Sequence, residues 1–431
     1  MTPQSQFTVI AAVRAGRAHV LRGLLESMTS QPGTADPHNR LVPFGDFAQL
    51  HFARLVLLDD PTLGDIEACV LPRPQLPVYL AFLGDCDGPA RDCLADIARR
   101  AAAGLSAIFE HCEGFGGAAV LPWMIAHDLP VAAGYVNWVG RTVLQIREEH
   151  ALQQALVARV DRAPVTSGRD AQGRRRDLID FVRVEQAAGR LTLTAPPPTP
   201  VSWWLARIAN AVLVMALGLV ALPFLIVLSP FLILRLRQLE RTDPEICPTP
   251  DPAALLELQL IEDLDVSNQY TAFGSVKPGW FRRWLLTLVL VAIQFTCRNV
   301  FTHGYLARVQ TIHFARWVFL DGKTRVLFTS NYDGGHQAYM DDFINKVAWG
   351  LNLVFSNGIG WPRTDWLITR GARREMPFKY YQRRHQLPTQ VWYKAYPGLT
   401  LINMTRNARL RAGLERTRVS DREAAAWLEL L

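Results

Sequence analysis

Apolar and polar positions along the chain mark out a series of elements that occurs twice. Phe7 to Val13 is a strand-like apolar run, and Arg17 to Met28 follows with Val20, Leu21, Leu24 and Leu25 on one side at helical spacing. Strands are expected around Gln49 to Leu58 and Val78 to Leu83. A long helix from about Pro89 to Glu110 comes next, with Asp87 placed to cap its N-terminus, and a strand near Val131 to Val136 closes the set. The second series runs Tyr270 to Val276, a helix after Pro278, Thr311 to Leu320, Arg325 to Thr329, a helix from about His336 to Phe355, and Gln390 to Tyr396.

The two series share residues as well as order. His51-Phe52-Ala53-Arg54-Leu55-Val56-Leu57-Leu58-Asp59 recurs as His313-Phe314-Ala315-Arg316-Trp317-Val318-Phe319-Leu320-Asp321, with seven of nine positions identical. Asp87-Gly88 answers to Asp333-Gly334, Gly104-Leu105 to Gly350-Leu351, and His127-x-Leu129-Pro130 with Tyr135 to His385-x-Leu387-Pro388 with Tyr393. Self-similarity in this fixed order is the signature of duplication, and each copy reads β-α-β-β-α-β. The expectation is an α+β protein of tandem ferredoxin-like repeats, copy 1 over 1–160 and copy 2 over 266–431. A four-stranded sheet with helices on one face leaves its other face apolar, and two such sheets bury both faces by pairing. In this the chain resembles the dimeric α/β-barrel superfamily in a fused form, to which dye-decolourising peroxidases and chlorite-dismutase-like haem proteins belong.

Between the copies the pattern changes. From Ile208 to Leu234 no residue is charged, a run longer than the ~20 residues that span a bilayer. Trp203 and Trp204 precede it, Arg207 and Arg235 flank it, and Pro-rich linkers lie at 161–200 (with Arg174, Arg175 and Arg176) and 242–265. A barrel made from both copies needs them on one side of the membrane. Pro223 and Pro230 each remove a helical hydrogen bond, so a bent, membrane-embedded hairpin over 201–241 is expected, with a straight span as the alternative. The apolar helix from Trp284 to Phe295 is too short to span and reads either as interfacial or as a core helix.

Composition narrows the partners. The net charge of +7 gathers partly beside the apolar run, and no zinc finger or aromatic RNA-binding strand accompanies the arginines. Membrane lipids are therefore the expected partner, not nucleic acid. Six cysteines without CxxC spacing and an N-terminus without a signal-like pattern place the globular parts on the cytoplasmic face of the cell membrane. No pattern fixes the oligomer.

Chemistry is less legible. There is no Ser-His-Asp elbow, HExxH, P-loop or dinucleotide glycine fingerprint. Gly84-Asp85-Cys86-Asp87-Gly88 is similar to the GxxDG pattern of dye-decolourising peroxidases, and the resemblance implies a peroxide-cleaving role for Asp87 or Asp333, with Arg316 polarising the peroxide. It further implies haem, with His313 the first candidate for the metal ligand and His336 the second. Two plainer readings stand beside these: a turn and helix cap for the aspartates, and packing for His51, Arg54, His313 and Arg316, which strand alternation would place on opposite faces. The expected function is a membrane-associated haem-peroxidase-like oxidoreductase acting on an apolar or lipid-derived small molecule. The alternative is a non-enzymatic, membrane-anchored lipid-binding or scaffold protein, and any small-molecule site is expected in copy 2 near the helix from Trp284 to Phe295.

Overall fold

The computed structural model describes residues 1–162 and 170–431. The first half contains β1 (Gln4–Ala12), α1 (Ala18–Glu26), a short hairpin of β2 (Thr29–Gln31) and β3 (Gly33–Ala35), β4 (Leu50–Leu58), β5 (Tyr79–Asp87), α2 (Ala90–Arg100), α3 (Ala102–Phe109), α4 (Val120–His127) and β6 (Ala133–Val136). Four helices follow: α5 (Val143–Arg162), α6 (Ala171–Ala187), α7 (Val201–Thr242) and α8 (Pro252–Gln259). The second half contains β7 (Ser267–Ser275), α9 (Trp280–Asn299), β8 (Ile312–Leu320), β9 (Arg325–Asp333), α10 (His336–Phe355), β10 (Thr364–Asp365), β11 (Thr369–Arg370), α11 (Glu375–His385), β12 (Val391–Lys394), α12 (Leu401–Glu415) and α13 (Asp421–Leu428). The fold is mixed α/β, with one mixed six-stranded sheet in the order β1-β5-β4-β12-β3-β2 and one antiparallel four-stranded sheet in the order β6-β8-β9-β7.

Each half lends its last strand to the other. β6, from the first half, pairs antiparallel with β8 in the register Ala133↔Trp317, and β12, from the second half, pairs with β4 in the matching register Val391↔Leu55. Just upstream of each exchange the chain still touches its own half: Leu129 N donates to Thr8 O and Leu387 N to Thr271 O, both at 2.8 Å. The two sheets are thus joined at both edges by strands that begin beside one sheet and end in the other. Four-residue strands at these seams cover edges that would otherwise present unpaired N–H and C=O groups.

Between the sheets the apolar side chains of Val56, Leu58, Leu83, Val318, Leu320 and Leu327 form one cluster, while separate clusters fill the space between each sheet and its own helices. All nine residues of β4 are buried, as a strand covered on both faces requires. The long helix expected after Asp87 is broken at Ala101 (φ −121°, ψ 25°), and its counterpart α10 is kinked at Val347 (φ −139°, ψ 23°). A fourth cluster, containing Leu152, Leu178, Leu410 and Trp427, joins α5, α6, α12 and α13 on one side of the molecule. The stretch expected as a linker therefore carries a packed helix, in which Arg175 is buried and donates to the carbonyls of Gly413 and Arg416 instead of facing lipid.

The expected hairpin is absent, since α7 is one continuous helix of 42 residues with Pro223 and Pro230 inside it. Pro230 cannot donate to the Ile226 carbonyl, and the Ser229 hydroxyl does so instead at 2.7 Å, which relieves the break that a lone proline would cause. The apolar stretch is exposed all along its length, and by length and composition it is able to cross a membrane.

Candidate functional site

Two β-bulges shape the polar zone between the sheets. The register shifts between Leu50 and Phe52 and again between Ile312 and Phe314, so one extra residue, His51 or His313, enters each strand. Simple alternation would separate each histidine from the arginine three residues on. The bulge resets the count and lets both point inward, a correction to the sequence expectation.

Arg54 and Arg316 cross the gap between the sheets in opposite directions. Arg54 donates to Tyr270 O at 2.9 Å, Thr271 Oγ1 at 2.8 Å, Ser330 O at 3.1 Å and the side chain of Asn331. Arg316 makes the matching set to Phe7 O at 2.6 Å, Gly84 O at 3.0 Å and the carboxylate of Asp85. Both guanidinium groups are buried, and Asp85 also takes Gln6 Nε2 at 2.7 Å. Burial lowers the Arg54 guanidinium to about 9, with Asp85 pulling the other way and Arg316 adding to the fall. Neither arginine has room for peroxide at its tip, since each is occupied by protein acceptors.

The histidines form two like pairs. His51 Nε2 lies 2.9 Å from Asp87 Oδ1, and Asp87 Oδ2 accepts from Val143 N at 2.9 Å, the first residue of α5. His313 Nε2 lies 2.6 Å from Asp333 Oδ1, and Asp333 Oδ2 accepts from Leu401 N at 2.7 Å, the first residue of α12. The aspartates do accept from helix N-termini, but not from the helices that directly follow them: α2, with Pro89 at its N-cap, has no side-chain cap, Asp87 takes the first N–H of the helix more than fifty residues on, and Asp333 adds to the Thr400 cap of α12. Tyr396 joins the pairs, its hydroxyl 3.1 Å from His51 Nδ1 and its ring stacked beside His313. In the tautomer that carries its proton on Nε2, His51 donates to Asp87 and Nδ1 accepts from Tyr396. Tyr396 corresponds by order to Trp138 in the first half, which is why the duplication did not single it out.

His51, His313 and Tyr396 line a cavity of only about 20 Å³, enough for a water molecule. Phe52, Phe314 and Trp392 fill the neighbouring space, with Phe52 stacked on Trp392 at 6.1 Å. Pockets for cofactor-sized groups run to roughly 300–1,000 Å³. The residues around His313 therefore do not fit a haem, and its Nε2 is already committed to Asp333. His336 sits elsewhere, on the helix-facing side of the second sheet, where it is buried beside Tyr270, with Nε2 3.1 Å from Gln386 Oε1 and Nδ1 without a partner. Burial, then Arg383, lowers its pKa to about 3. It is neither solvated, as a helix N-terminus would suggest, nor beside His313. Among the described residues no three His, Cys, Asp or Glu side chains converge as metal ligands would.

A larger apolar space lies elsewhere in the second half. A cavity of about 130 Å³ opens between the second sheet, α9 and α10, lined by Ile293, Phe301, Trp317, Phe328, Phe343 and Val354 among others. Thr296 is on its wall, but its hydroxyl is turned to Ile293 O at 2.9 Å. Trp349, half exposed, stands at the rim. α9 buries Phe281, Leu286 and Leu290 against the second half and turns Trp280, Trp284, Leu288 and Val291 outward. A wider groove of about 540 Å³ between α6, α12 and α13 is open and mixed in charge, with Arg409 and Arg416 near Glu423 and Glu429. The chain matches no known family, no curated protein and no solved structure.

Proposed function

We propose that the chain is a membrane-associated protein that holds the end of one lipid hydrocarbon chain in the cavity between α9, α10 and the second sheet. The observation that carries this reading is the cavity itself, about 130 Å³ with almost wholly apolar walls. An apolar cavity of ~150 Å³ in another protein takes up benzene, so this one suits a few carbons of an acyl chain and not a whole lipid. Its α9 wall exposes Trp284, Leu288 and Val291 on the far side, and α9 touches the C-terminal end of α7, where Arg282 pairs with Asp243.

The architecture is proposed as a fused duplication of ferredoxin-like units closed into an intramolecular α/β barrel. Its support is the paired registers of the exchanged strands, the paired bulges and the paired arginine crossings. In this reading the barrel interior serves structure: its polar groups are spent on one another. The haem-dependent oxidoreductase reading loses its basis in a packed interior, and the lipid-binding reading takes its place. Six free cysteines, four of them buried, and arginines beside both ends of α7 support placement at the cytoplasmic face.

The test is lipid content and displacement. Protein purified in mild detergent should yield co-purified fatty acid or phospholipid by mass spectrometry and should enhance the fluorescence of a polyene fatty acid. Gly350 lines the cavity, and a Cβ added there meets no atom within 4 Å, so Gly350→Leu starts in open space and extends a side chain at the cavity wall. Loss of at least tenfold in probe affinity is expected. Unchanged binding in this variant, or no binding by the parent, would sink the proposal.

A further inference from the structure

We infer that α7 does not cross the bilayer but lies lengthwise within one leaflet, with both of its ends on the same side; this rests on the membrane association proposed above. Both ends of α7 are tied to the globular body. At its C-terminal end Glu240 is buried and accepts from Thr364 Oγ1 at 3.0 Å, Trp366 N at 3.0 Å and Leu367 N at 2.7 Å, while Arg237 reaches Asp365 at 3.1 Å. The uncharged run ends at Leu234, so almost no slack separates the membrane segment from the globular body. Asp243, one residue past the helix, adds an ion pair to Lys277 at 3.1 Å and another to Arg282.

At the N-terminal end the chain is held at Thr194, and nearer the helix Met1 N donates to Thr199 Oγ1 at 3.1 Å. The N and Oγ1 of Thr194 donate to the two oxygens of Glu148, each at 2.7 Å, and its carbonyl accepts from Arg411. Only 195–200 lie between Thr194 and the helix. Six residues reach at most ~20 Å when fully extended. The hydrocarbon core is ~30 Å thick.

These lengths decide the topology. Glu148 and Thr364 belong to halves that exchange strands, so they sit on one rigid body. Were α7 to cross, Val201 would emerge on the far side, and the six-residue link would have to return through the whole hydrocarbon core to reach Glu148. It falls short by about 10 Å even without the headgroup layers. The uninterrupted helix also rules out a turn inside the membrane.

A helix is ~10–12 Å across with its side chains, and one leaflet of hydrocarbon is about half of 30 Å, so the helix fits within it. Its composition suits immersion more than surface adsorption. A helix resting at the interface needs a charged face, whereas the apolar residues from Ile208 to Leu234 encircle this one without a polar stripe. Arg207, stacked over Trp203 and Trp204, and Arg235 stand at the two ends of the uncharged stretch, where both can reach the same layer of headgroups.

Two measurements on the full chain test this. With Cys69→Ser in the background, Cys247 just beyond α7 is one exposed reporter, and Ser202→Cys combined with Cys247→Ser gives the other. In sealed membrane vesicles of known orientation, a membrane-impermeant maleimide should label both sites from the same face. Labelling from opposite faces would overturn the inference while leaving membrane association intact. Release of the whole protein by carbonate washing would instead overturn the membrane reading and this inference with it. Spin labels at Ala206→Cys, Leu217→Cys and Leu228→Cys, exposed positions spaced to lie on one face of the helix, then report depth in vesicles of zwitterionic and anionic phospholipid. Equal depths are expected. A depth that changes steadily along the helix would indicate a crossing, and one greatest at position 217 a bend, and either result contradicts the inference.

Discussion

Asp85 and Asn331 occupy matching positions on β5 and β9 and meet between the sheets, with Asn331 Nδ2 donating to Asp85 Oδ2 at 3.2 Å. This is the point where the near-symmetry of the interior fails. Two buried arginines face a single carboxylate: Arg316 has Asp85, and Arg54 has the neutral Asn331. Removing the carboxylate that Arg316 touches breaks a buried ion pair, which costs about 3–5 kcal/mol. Asp85→Asn should therefore destabilise strongly in chemical denaturation, whereas Asp85→Asn combined with Asn331→Asp should regain more than half of the loss. A double variant no more stable than Asp85→Asn would show that the position of the charge matters more than its presence.

The exchanged strands make the halves interdependent. Expressed alone, residues 1–162 lack β12, so β4 keeps an open edge, and residues 245–431 lack β6 beside β8. Each fragment is expected to aggregate or to lack amide protection in β4 or β8 in hydrogen exchange. The two expressed together should form a soluble complex. A separately folded half with a protected β4 or β8 would contradict the pairing.

His336 predicts a slope in stability with pH. Its folded pKa is about 3, below the ordinary value near 6.5, so on acidification the unfolded chain takes up a proton that the folded one refuses. Its contribution is constant above pH 6.5, and stability then falls by about 1.4 kcal/mol per pH unit as the pH drops toward 3. Between pH 7 and 5 the urea midpoint should decline, and His336→Gln should remove about 1–2 kcal/mol of that decline. An identical decline in the variant would assign the effect to other groups.

Gly350 lies in the helical part of α10 after the kink at Val347. Replacing a helical glycine removes backbone freedom from the unfolded chain, worth ~0.5–1 kcal/mol, and the added side chain enters empty space. Gly350→Leu should therefore melt at the same temperature as the parent or a few degrees higher in calorimetry while losing the fatty-acid probe. A drop in melting temperature would mean that the space is already filled.

Much of the element order is legible from the pattern of apolar positions. β4, β5, β8 and β9 fall within a few residues of the predicted strands, because each is a long run of apolar and β-branched residues bounded by turns. Partner choice is not legible. Val131 to Val136 reads as a strand, but nothing local says that it pairs with β8 of the other half and not with its own sheet. The bulge at His51 is equally silent, since one extra residue leaves the composition unchanged while reversing which side chains face inward. Asp87 has the sequence context of a cap for the next helix and caps a distant one, and a sequence offers no sign of that. The hairpin expectation failed because Ser229 supplies the bond that Pro230 forfeits. The helix from Trp284 to Phe295 is where the pattern was most informative: its all-round apolarity is shared between a buried face and an exposed one.

The strand exchange also dictates an order of events at the ribosome. β12, which closes the edge of β4, is made roughly 330 residues after it, and at ~5–20 residues per second that is about 15–65 s of waiting. During that interval the first half has emerged with its longest buried strand uncovered on one side, and α7 emerges before its partner half exists. Under the proposed membrane association the nascent chain therefore reaches lipid as an unfinished protein, with closure of the interior late in its synthesis. A stop codon between Thr242 and Val391 would leave a product that carries α7 but whose first sheet is still open, a substrate for quality-control proteases and not a smaller working version of the protein.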